Sequence, residues 1–366
     1  MSIQLTDEGR LLSLDFFRGF TMFLLIAEGT QIYHHLINPA FKGTIIHSIG
    51  MQFHHHPWNG LRFWDLVQPF FMFIVGVALP FSINKRLQRG DKYSRILRHA
   101  VQRSFLLLLF GWMLYCIGPG RITFRFQNVL AQLALTYLIA FLMMRRSTRT
   151  QLIFTFLLLV GVELTYRLFS VPGFDQPFVP DQNFGAYVDL LISGELSPGH
   201  WVSFNAVPTI AHTMWGVLTG QLLLSNQPSF KKIKILSLLG LAGVTLGIAL
   251  DPLSPIIKRI CTSSFVILSG GCCLLVLAFS YWLIDVKKIR KWSKFFAVVG
   301  MNSLFIYLFT NTGGDKLLIG IVKPFTTGIF IGMGKLSAQI ITSLIVWAFL
   351  WYICFWLYKK RIFVKI

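Results

Sequence analysis

Long apolar segments alternate with short polar ones along almost the whole chain. A helix that crosses a bilayer needs about 20 mostly apolar residues. Segments of that kind lie at approximately 16–36, 62–83, 101–119, 127–144, 151–169, 205–225, 234–251, 262–284, 295–312 and 337–358. The pattern therefore predicts an all-α polytopic membrane protein with about ten transmembrane helices, forming a single transmembrane domain over residues 1–366.

Basic residues are grouped in blocks that follow the even-numbered predicted spans. The blocks are Lys85 to Arg98, Arg145 to Arg149, Lys231 to Lys234, Lys287 to Lys291 and Lys359 to Arg361. Cytoplasmic loops carry an excess of Lys and Arg, so we expect both termini to be cytoplasmic. The stretch 168–230 contains no Lys or Arg but several carboxylates and prolines, and we predict an extracytoplasmic loop over 170–204.

One apolar segment, 317–334, does not fit this count. Lys323, Pro324 and four glycines interrupt it. An additional span here would place the basic C-terminus on the outer side, against the charge rule. We therefore predict a re-entrant or interfacial segment near 317–334.

Composition excludes an ordinary soluble domain. Hydrophobic residues make up 54% of the chain and charged residues 13%, which is too apolar for a soluble protein of this length. The net charge of +20 does not indicate nucleic-acid binding, because the cations lie in short blocks between apolar runs. The five cysteines show no CxxC spacing, so we predict neither a metal site nor a disulfide framework.

The candidate chemistry lies at His54, His55 and His56, which are followed by Trp58, Asn59 and the carboxylate of Asp65. Histidine can accept and donate a proton near neutral pH, and a carboxylate within reach would orient it and stabilise its charged form. A wet membrane-interface loop, or adventitious metal binding by adjacent histidines, explains the cluster equally well at this level.

Several ionisable or polar residues lie within the apolar spans, where they are costly unless paired or hydrated. These residues are Glu28, Glu163, His212 and Asn302. They could line a polar chamber, or they could form structural hydrogen bonds between helices. A proton-coupled transporter that uses Glu28, Asp65 and Glu163 is therefore an alternative to an enzyme.

Five segments together carry a resemblance to a known family. They are 12–19 (LSLDFFRG), 55–61 (HHPWNGL), 65–73 (DLVQPFFMF), 300–303 (GMNS) and 358–366 (YKKRIFVKI). Their combination resembles the heparan-α-glucosaminide N-acetyltransferase family over nearly all predicted spans. Members of that family are polytopic enzymes that use acetyl-CoA to acetylate a terminal glucosamine across a membrane.

The resemblance implies roles for particular residues. The family's catalytic histidine falls on His55, as base or acyl-accepting nucleophile, and its aspartate falls on Asp65. Acetyl-CoA is then the acyl donor, and an amino sugar or glycan is the acceptor. Candidate substrate contacts are Glu28, Trp58, Asn59, Gln132, His212 and Asn302, and candidate contacts to CoA phosphates are Arg18, Lys85 and Arg86.

The chain also departs from the family pattern. Glu28 stands where an asparagine is common, Gln132 stands where the family has an arginine, and the long luminal extension of the animal enzymes is missing. These departures favour a divergent bacterial-type member in the inner membrane, surrounded by membrane lipids. O-acetylation of a surface glycan is therefore an alternative activity. The sequence also leaves open whether the protein forms a homodimer.

Overall fold

The computed structural model describes residues 11–364 and 366. Its α-helices are α1 Leu12–Gly29, α2 Ile32–Leu36, α3 Ile45–Gln52, α4 Val67–Gln88, α5 Tyr93–Ile117, α6 Val129–Met143, α7 Thr148–Leu168, α8 Phe184–Ser193, α9 Ala206–Leu224, α10 Ser229–Ala249, α11 Ser263–Ser280, α12 Ser293–Met301, α13 Ser303–Phe309, α14 Asp315–Phe330 and α15 Lys335–Lys359. Short 3-10 or π turns lie at Pro39–Phe41, Phe63–Leu66, Pro198–His200, Ser203–Asn205, Tyr281–Val286, Thr310–Gly314 and Ile331–Met333. Within the described ranges there is no strand, only an isolated bridge between Asn59 and Ile257. The all-α prediction is confirmed.

The chain forms two compact units. The first, called here the terminal unit, comprises Met1–His55, Arg62–Val67 and Ser280–Ile366. The second, the central unit, comprises His56–Leu61 and Gln68–Phe279. The segment with the candidate chemistry is thus divided, because His55 and Asp65 belong to the terminal unit while Trp58 and Asn59 belong to the central unit.

In the terminal unit, α1 packs closely against α12. A Cβ on Gly19 would overlap the backbone carbonyl of Phe296, and a Cβ on Gly300 would lie 2.8 Å from the Gly19 nitrogen. Small residues at a helix crossing let two backbones approach, which is a common basis of helix association in membranes. The glycines of the first motif (12–19) and of the fourth motif (300–303) therefore form one contact.

The N-terminus of α1 is capped by a distant carboxylate. Asp285 accepts hydrogen bonds from the backbone N–H groups of Leu12 and Ser13, both at 3.2 Å. These N–H groups have no partner within the helix, and a negative charge at this end also complements the helix dipole. The cap ties the start of α1 to the π turn at Tyr281–Val286.

The central unit is organised around α9, which is buried along most of its length. A Cβ on Gly76 of α4 would overlap the carbonyl oxygen of Thr213, and one on Gly216 would overlap that of Phe73. The two helices therefore approach at backbone distance. Apolar side chains of α4, α5, α6 and α9 surround this crossing and form a continuous buried cluster.

Within the part of the chain that the structure describes, seven helices are long and apolar enough to cross a membrane. Six of them coincide with predicted spans, and these are Phe63–Gln88, Tyr93–Ile117, Thr148–Leu168, Ser229–Ala249, Ser263–Val286 and Lys335–Lys359. The seventh is the helical run Ser303–Met333. The predicted count of about ten spans is therefore not confirmed.

The four remaining predicted spans differ from this simple pattern for physical reasons. The helix α1 carries three charges, and α6 is only 15 residues long. The span predicted at 205–225 is α9, whose threonines, histidine and glutamine lower its hydropathy but are mostly packed inside protein. The span predicted at 295–312 is divided at Asn302 into α12 and α13.

The prediction of a re-entrant or interfacial segment at 317–334 is likewise not confirmed. The structure places most of it in α14, part of a helical run of 31 residues that contains an 18-residue stretch with mean hydropathy 1.4. Pro324 lies inside this helix. Proline and glycine are tolerated in membrane helices when neighbouring groups satisfy the freed backbone, so these residues did not mark a break.

The predicted loop 170–204 contains ordered structure, including α8. Asp189 on α8 accepts hydrogen bonds from the Gln127 side chain at 2.8 Å, the Ser203 backbone N–H at 3.0 Å and the Ser197 hydroxyl at 3.3 Å. Burial raises the pKa of the Asp189 carboxyl above its usual range, although these hydrogen bonds oppose the shift. The carboxyl thus anchors the segment to the rest of the central unit.

Candidate active site

His55 and Asp65 are in direct contact. The Nδ1 atom of His55 lies 2.8 Å from the Oδ1 atom of Asp65. Asp65 is 1% exposed, whereas the side chain of His55 is 32% exposed. A buried carboxylate accepts, so Nδ1 is the donor and the tautomer that results carries its lone pair on Nε2. The pair can therefore hold one ring nitrogen while the other accepts a proton.

Arg62 completes this arrangement, and the sequence analysis did not assign it a role. Its guanidinium donates to the backbone carbonyl of His55 at 3.0 Å. Its backbone N–H donates to the second carboxylate oxygen of Asp65 at 2.9 Å. Arg62 thus holds both members of the pair, one through the backbone and one through the carboxylate. In the sequence, the position of Arg62 between His55 and Asp65 was the indication of this role that was available.

The local fold explains why Asp65 is so well held. It lies in the 3-10 turn Phe63–Leu66, and its neighbours Trp64 and Val67 are buried in an apolar cluster with residues of α1 and α2. The backbone N–H of Phe63 donates to the side chain of Gln52 at 3.2 Å, which ties the turn to the end of α3. A carboxylate that rigid neighbours already hold in place needs little reorganisation to orient a histidine.

The other two histidines of the cluster have different neighbours. The Nε2 atom of His54 lies 3.2 Å from the backbone carbonyl of Tyr33. The ring of His56 lies against Gly60, where a Cβ would come within 2.7 Å of its Nε2 atom. Gly60 has φ +137°, a conformation that favours glycine. Among residues 11–364 and 366, no group of three or more His, Cys, Asp or Glu side chains is arranged to hold a metal ion.

Trp58 and Asn59 lie in the central unit. The indole of Trp58 donates to the backbone carbonyl of Phe178 at 2.7 Å and meets the ring of His200 edge-on at 6.1 Å. Asn59 is exposed, and its backbone forms the bridge to Ile257. Trp58 thus contacts the 170–204 loop, while Asn59 is exposed to solvent.

Gln132 is the centre of a buried polar network in the central unit. It accepts a hydrogen bond from Gln68 at 2.6 Å and donates to Asn205 at 2.6 Å. Gln68 also donates to Thr209 at 3.3 Å. The sequence analysis named only Gln132, because the other members lie 64 to 77 positions away and no local pattern links them.

The remaining candidates have structural partners. Nε2 of His212 lies 2.8 Å from the Ser269 hydroxyl, with His212 fully buried between α9 and α11. The amide of Asn302 donates to the carbonyl of Ile362 and accepts from the N–H of Val364, both at 3.1 Å. This fastens the C-terminal segment to the break between α12 and α13. The interpretation as a structural hydrogen bond, left open by the sequence, is favoured for both residues.

The charged candidates are dispersed. Glu28 is exposed near the end of α1, and Arg18 is half-buried in the same helix. Lys85 and Arg86 lie in the last turn of α4, in the central unit. Glu163 forms an ion pair with Arg167 at 2.7 Å and accepts from the Ser254 hydroxyl at 3.0 Å. The Glu163 carboxylate is therefore neutralised by its own helix.

An all-helical fold with several apolar helices, and a buried carboxylate that orients a partly exposed histidine, define an integral membrane protein with a histidine–carboxylate centre. A family model described as a domain of unknown function (DUF5009) matches residues 10–158. The chain is 27% identical to human heparan-α-glucosaminide N-acetyltransferase over 98% of its own length. It is 26% identical to the mouse protein of the same name over 86% of its length.

These similarities confirm the resemblance predicted from the motifs. The aligned parts cover 60% of the human relative and 56% of the mouse relative. The chain thus spans somewhat more than half the length of the relatives it matches, and His55, Arg62 and Asp65 lie inside the segment that the family model also matches.

Proposed function

We propose that this protein is a membrane-embedded acetyltransferase whose His55–Asp65 pair activates the acceptor. The observation that carries the proposal is the 2.8 Å bond between Nδ1 and the buried carboxylate, in a chain similar to two N-acetyltransferases over most of its length. The donor is acetyl-CoA, and the acceptor is an amino sugar or glycan. In general, a histidine oriented by a carboxylate serves this role in acyl transfer.

The reaction can be written for the chain's own groups. The acceptor nitrogen or hydroxyl oxygen attacks the thioester carbonyl, and Nε2 of His55 takes the proton that the acceptor loses. The carbon–sulfur bond then breaks, and the proton passes from the imidazolium to the leaving thiolate. Asp65 stabilises the imidazolium throughout. In the second route, Nε2 attacks the carbonyl first, the carbon–sulfur bond breaks, and CoA leaves as the thiolate to give an acetyl-histidine. The acceptor then attacks the acetyl carbon, the bond from that carbon to Nε2 breaks, and the proton that the acceptor loses neutralises the thiolate.

Cys261 does not compete with His55 for the role of nucleophile. Its thiol lies 3.3 Å from the Thr209 hydroxyl. Burial raises its pKa to about 12, so it stays protonated near neutral pH and is a poor nucleophile.

The proposal includes the arrangement across the membrane. Both termini and the basic blocks are cytoplasmic, residues 170–204 are extracytoplasmic, and three further helices besides the seven apolar ones cross a bacterial inner membrane. Acetyl-CoA then binds from the cytoplasm, with Arg18, Lys85 and Arg86 as candidate contacts to its phosphates. The positive charge of those side chains suits a polyphosphate, and the positive-inside pattern supports the orientation.

Two alternatives give different results in the same assay. O-acetylation would use the same pair, with a hydroxyl acceptor that depends more strongly on the base. A proton-coupled transporter would use Glu28, Asp65 and Glu163 and release no CoA. The ion pair of Glu163 with Arg167 weighs against the transporter, since a carboxylate on an ion path must exchange protons or ions.

The test is acetyl transfer by the purified full chain in detergent. Acetyl-CoA is supplied with a panel of amino sugars and neutral glycans, and free CoA and acetylated product are both measured. We expect His55→Ala to lower turnover by about 10² to 10⁴-fold, the contribution typical of a general base. The matched control is His54→Ala, which removes the neighbouring imidazole and leaves turnover near the parent level.

Product from amino sugars, lost only in His55→Ala, supports N-acetylation, whereas product from neutral glycans alone supports O-acetylation. Equal loss in both variants contradicts the choice of His55. If no CoA is released with any acceptor, acetyl transfer is wrong, and proton-driven uptake in proteoliposomes tests the transporter.

A further inference from the structure

An apolar groove opens on the surface of the terminal unit. It has a volume of about 200 Å³ and is lined by Phe23 of α1, Phe295 of α12, and Leu344, Trp347, Ala348 and Trp351 of α15. Phe295 and Leu344 are 41% and 48% exposed. Because α15 is one of the seven described helices that are long and apolar enough to cross a membrane, we expect the hydrocarbon chains of a bilayer to surround the groove.

The walls of the groove are fixed by hydrogen bonds and ring stacking. The indole N–H of Trp347 donates to the carbonyl of Phe23 at 3.1 Å, and that of Trp351 donates to the carbonyl of Phe295 at 3.0 Å. The same pairs of side chains are stacked, with centroids 4.4 Å and 4.8 Å apart. The indole donors are thus used within the wall, and the surface of the groove is almost entirely apolar. A preformed apolar groove binds a flexible chain with less ordering cost than a mobile one.

One end of the groove leads to cations. The ring of Phe355 stacks on Trp351 with centroids 5.2 Å apart. The Nζ atom of Lys359 lies 4.7 Å from the centre of the Phe355 ring. An unbroken row of contacts therefore runs from Phe295 in the groove through Trp351 and Phe355 to Lys359.

Further positive charge surrounds this end. Lys359, Lys360 and Arg361 close α15, and all are exposed. Clusters of Lys and Arg next to membrane helices attract anionic lipid head groups.

We propose that this groove binds one acyl chain of an anionic glycerophospholipid, with the lipid phosphate held at the basic end by Lys359. The apolar walls select hydrocarbon, and the cations at the end of α15 select a net negative head group over a zwitterionic one. The site lies wholly within the terminal unit and does not depend on the acetyltransferase proposal. Its ligand is a structural or regulatory lipid rather than a substrate.

The experiment is native mass spectrometry of the full chain released from detergent. The protein is mixed with equal amounts of phosphatidylglycerol and phosphatidylcholine that carry identical acyl chains. We expect one phosphatidylglycerol to be retained in preference. Lys359→Gln should weaken phosphatidylglycerol retention about fivefold, as expected for one Lys near an anionic membrane surface. Phosphatidylcholine retention should stay unchanged.

Matched controls separate the groove from general surface effects. The double variant of Lys231→Gln and Lys234→Gln removes two exposed charges from another basic block, on α10. Ala348→Phe fills the groove and should abolish retention of either lipid, whereas Ala242→Phe places the same ring on an exposed position of α10.

A measurement on the unaltered chain guards against a variant that fails to fold. Phosphatidylglycerol with dibrominated chains should quench tryptophan fluorescence more than brominated phosphatidylcholine does. Equal retention and equal quenching by the two lipids would overturn the proposal. So would equal effects of the lysine changes on α10. A change of oligomeric state in Ala348→Phe, with lipid retention unaltered, would instead make this groove an interface between copies.

Discussion

Arg62 and Asp65 divide the task of holding His55 between them. Asp65 contacts the ring through Nδ1, while Arg62 contacts the backbone carbonyl of His55 and, through its own N–H, the other carboxylate oxygen. The carboxylate is buried and the imidazole is partly exposed. This difference allows His55 to meet a substrate while its orienting partner stays away from water, where its interaction with the ring is stronger.

The role of Asp65 as a positioning residue gives the first prediction at this scale. Asp65→Asn keeps the shape but removes the charge that stabilises the imidazolium, so kcat should fall by about 10² to 10⁴-fold with little change in KM. The acid limb of the pH–rate profile should move to lower pH, because imidazolium forms less readily without the carboxylate.

Asp91→Asn is the matched control, since Asp91 pairs with Arg95 at 3.7 Å on a polar link. It should leave both kcat and the profile unchanged. A uniform loss of folded protein in Asp65→Asn, with an unshifted profile for the remainder, would indicate a merely structural carboxylate.

At the scale of helices, close crossings determine the shape of the terminal unit. Gly19 and Gly300 bring the backbones of α1 and α12 into contact, and Asp285 caps the start of α1. Gly19, Gly300 and the capped residues Leu12 and Ser13 lie in segments that carry the family resemblance. The main role of these residues in this chain is therefore helix packing. This role would explain why a motif shared with the family lies far from the histidine.

This packing role leads to a prediction about stability. Gly19→Ala should lower the free energy of unfolding by about 1 to 3 kcal/mol, the typical cost of overpacking, because its Cβ would overlap the Phe296 carbonyl. The measurement is thermal or denaturant unfolding in detergent.

The matched change is Gly161→Ala on α7, where nothing lies within 4 Å of the new Cβ. It should be neutral or stabilise by about 0.5 to 1 kcal/mol, since alanine favours helix. Equal effects at the two positions would contradict the close crossing.

At the scale of the whole molecule, the arrangement of basic blocks predicts which side each link faces. In a background with the five cysteines replaced by serine, single cysteines can be placed at exposed positions. Gln176→Cys and Ser48→Cys should react with a membrane-impermeant maleimide in intact cells. Ser94→Cys should react only after permeabilisation. Labelling of Ser94→Cys in intact cells, or protection of Gln176→Cys, would contradict the proposed orientation.

Much of the helical pattern was predictable because a membrane helix is a local property. Six predicted spans match apolar helices, since length and hydropathy suffice wherever a helix faces lipid. They were less clear for α9, a predicted span that is helical but whose mostly buried polar residues lower its hydropathy. They did not suffice for α14, where Pro324 and glycines suggested an interruption in a segment that is helical.

The sequence by itself determined the all-helical class, most of the long apolar helices and the short distance along the chain between His55 and Asp65. These follow from neighbouring residues and from helix length. Only the tertiary structure decided that Nδ1 of His55 meets Asp65, that Arg62 holds both, and that Gln132 and Asn302 are engaged by distant partners. The contacts of Gln132 and Asn302 join segments 73 and 60 residues apart, and the contacts of His55 depend on how the chain folds back between residues 55 and 65. Packing selects all of them from many groups of equal hydrogen-bonding capacity.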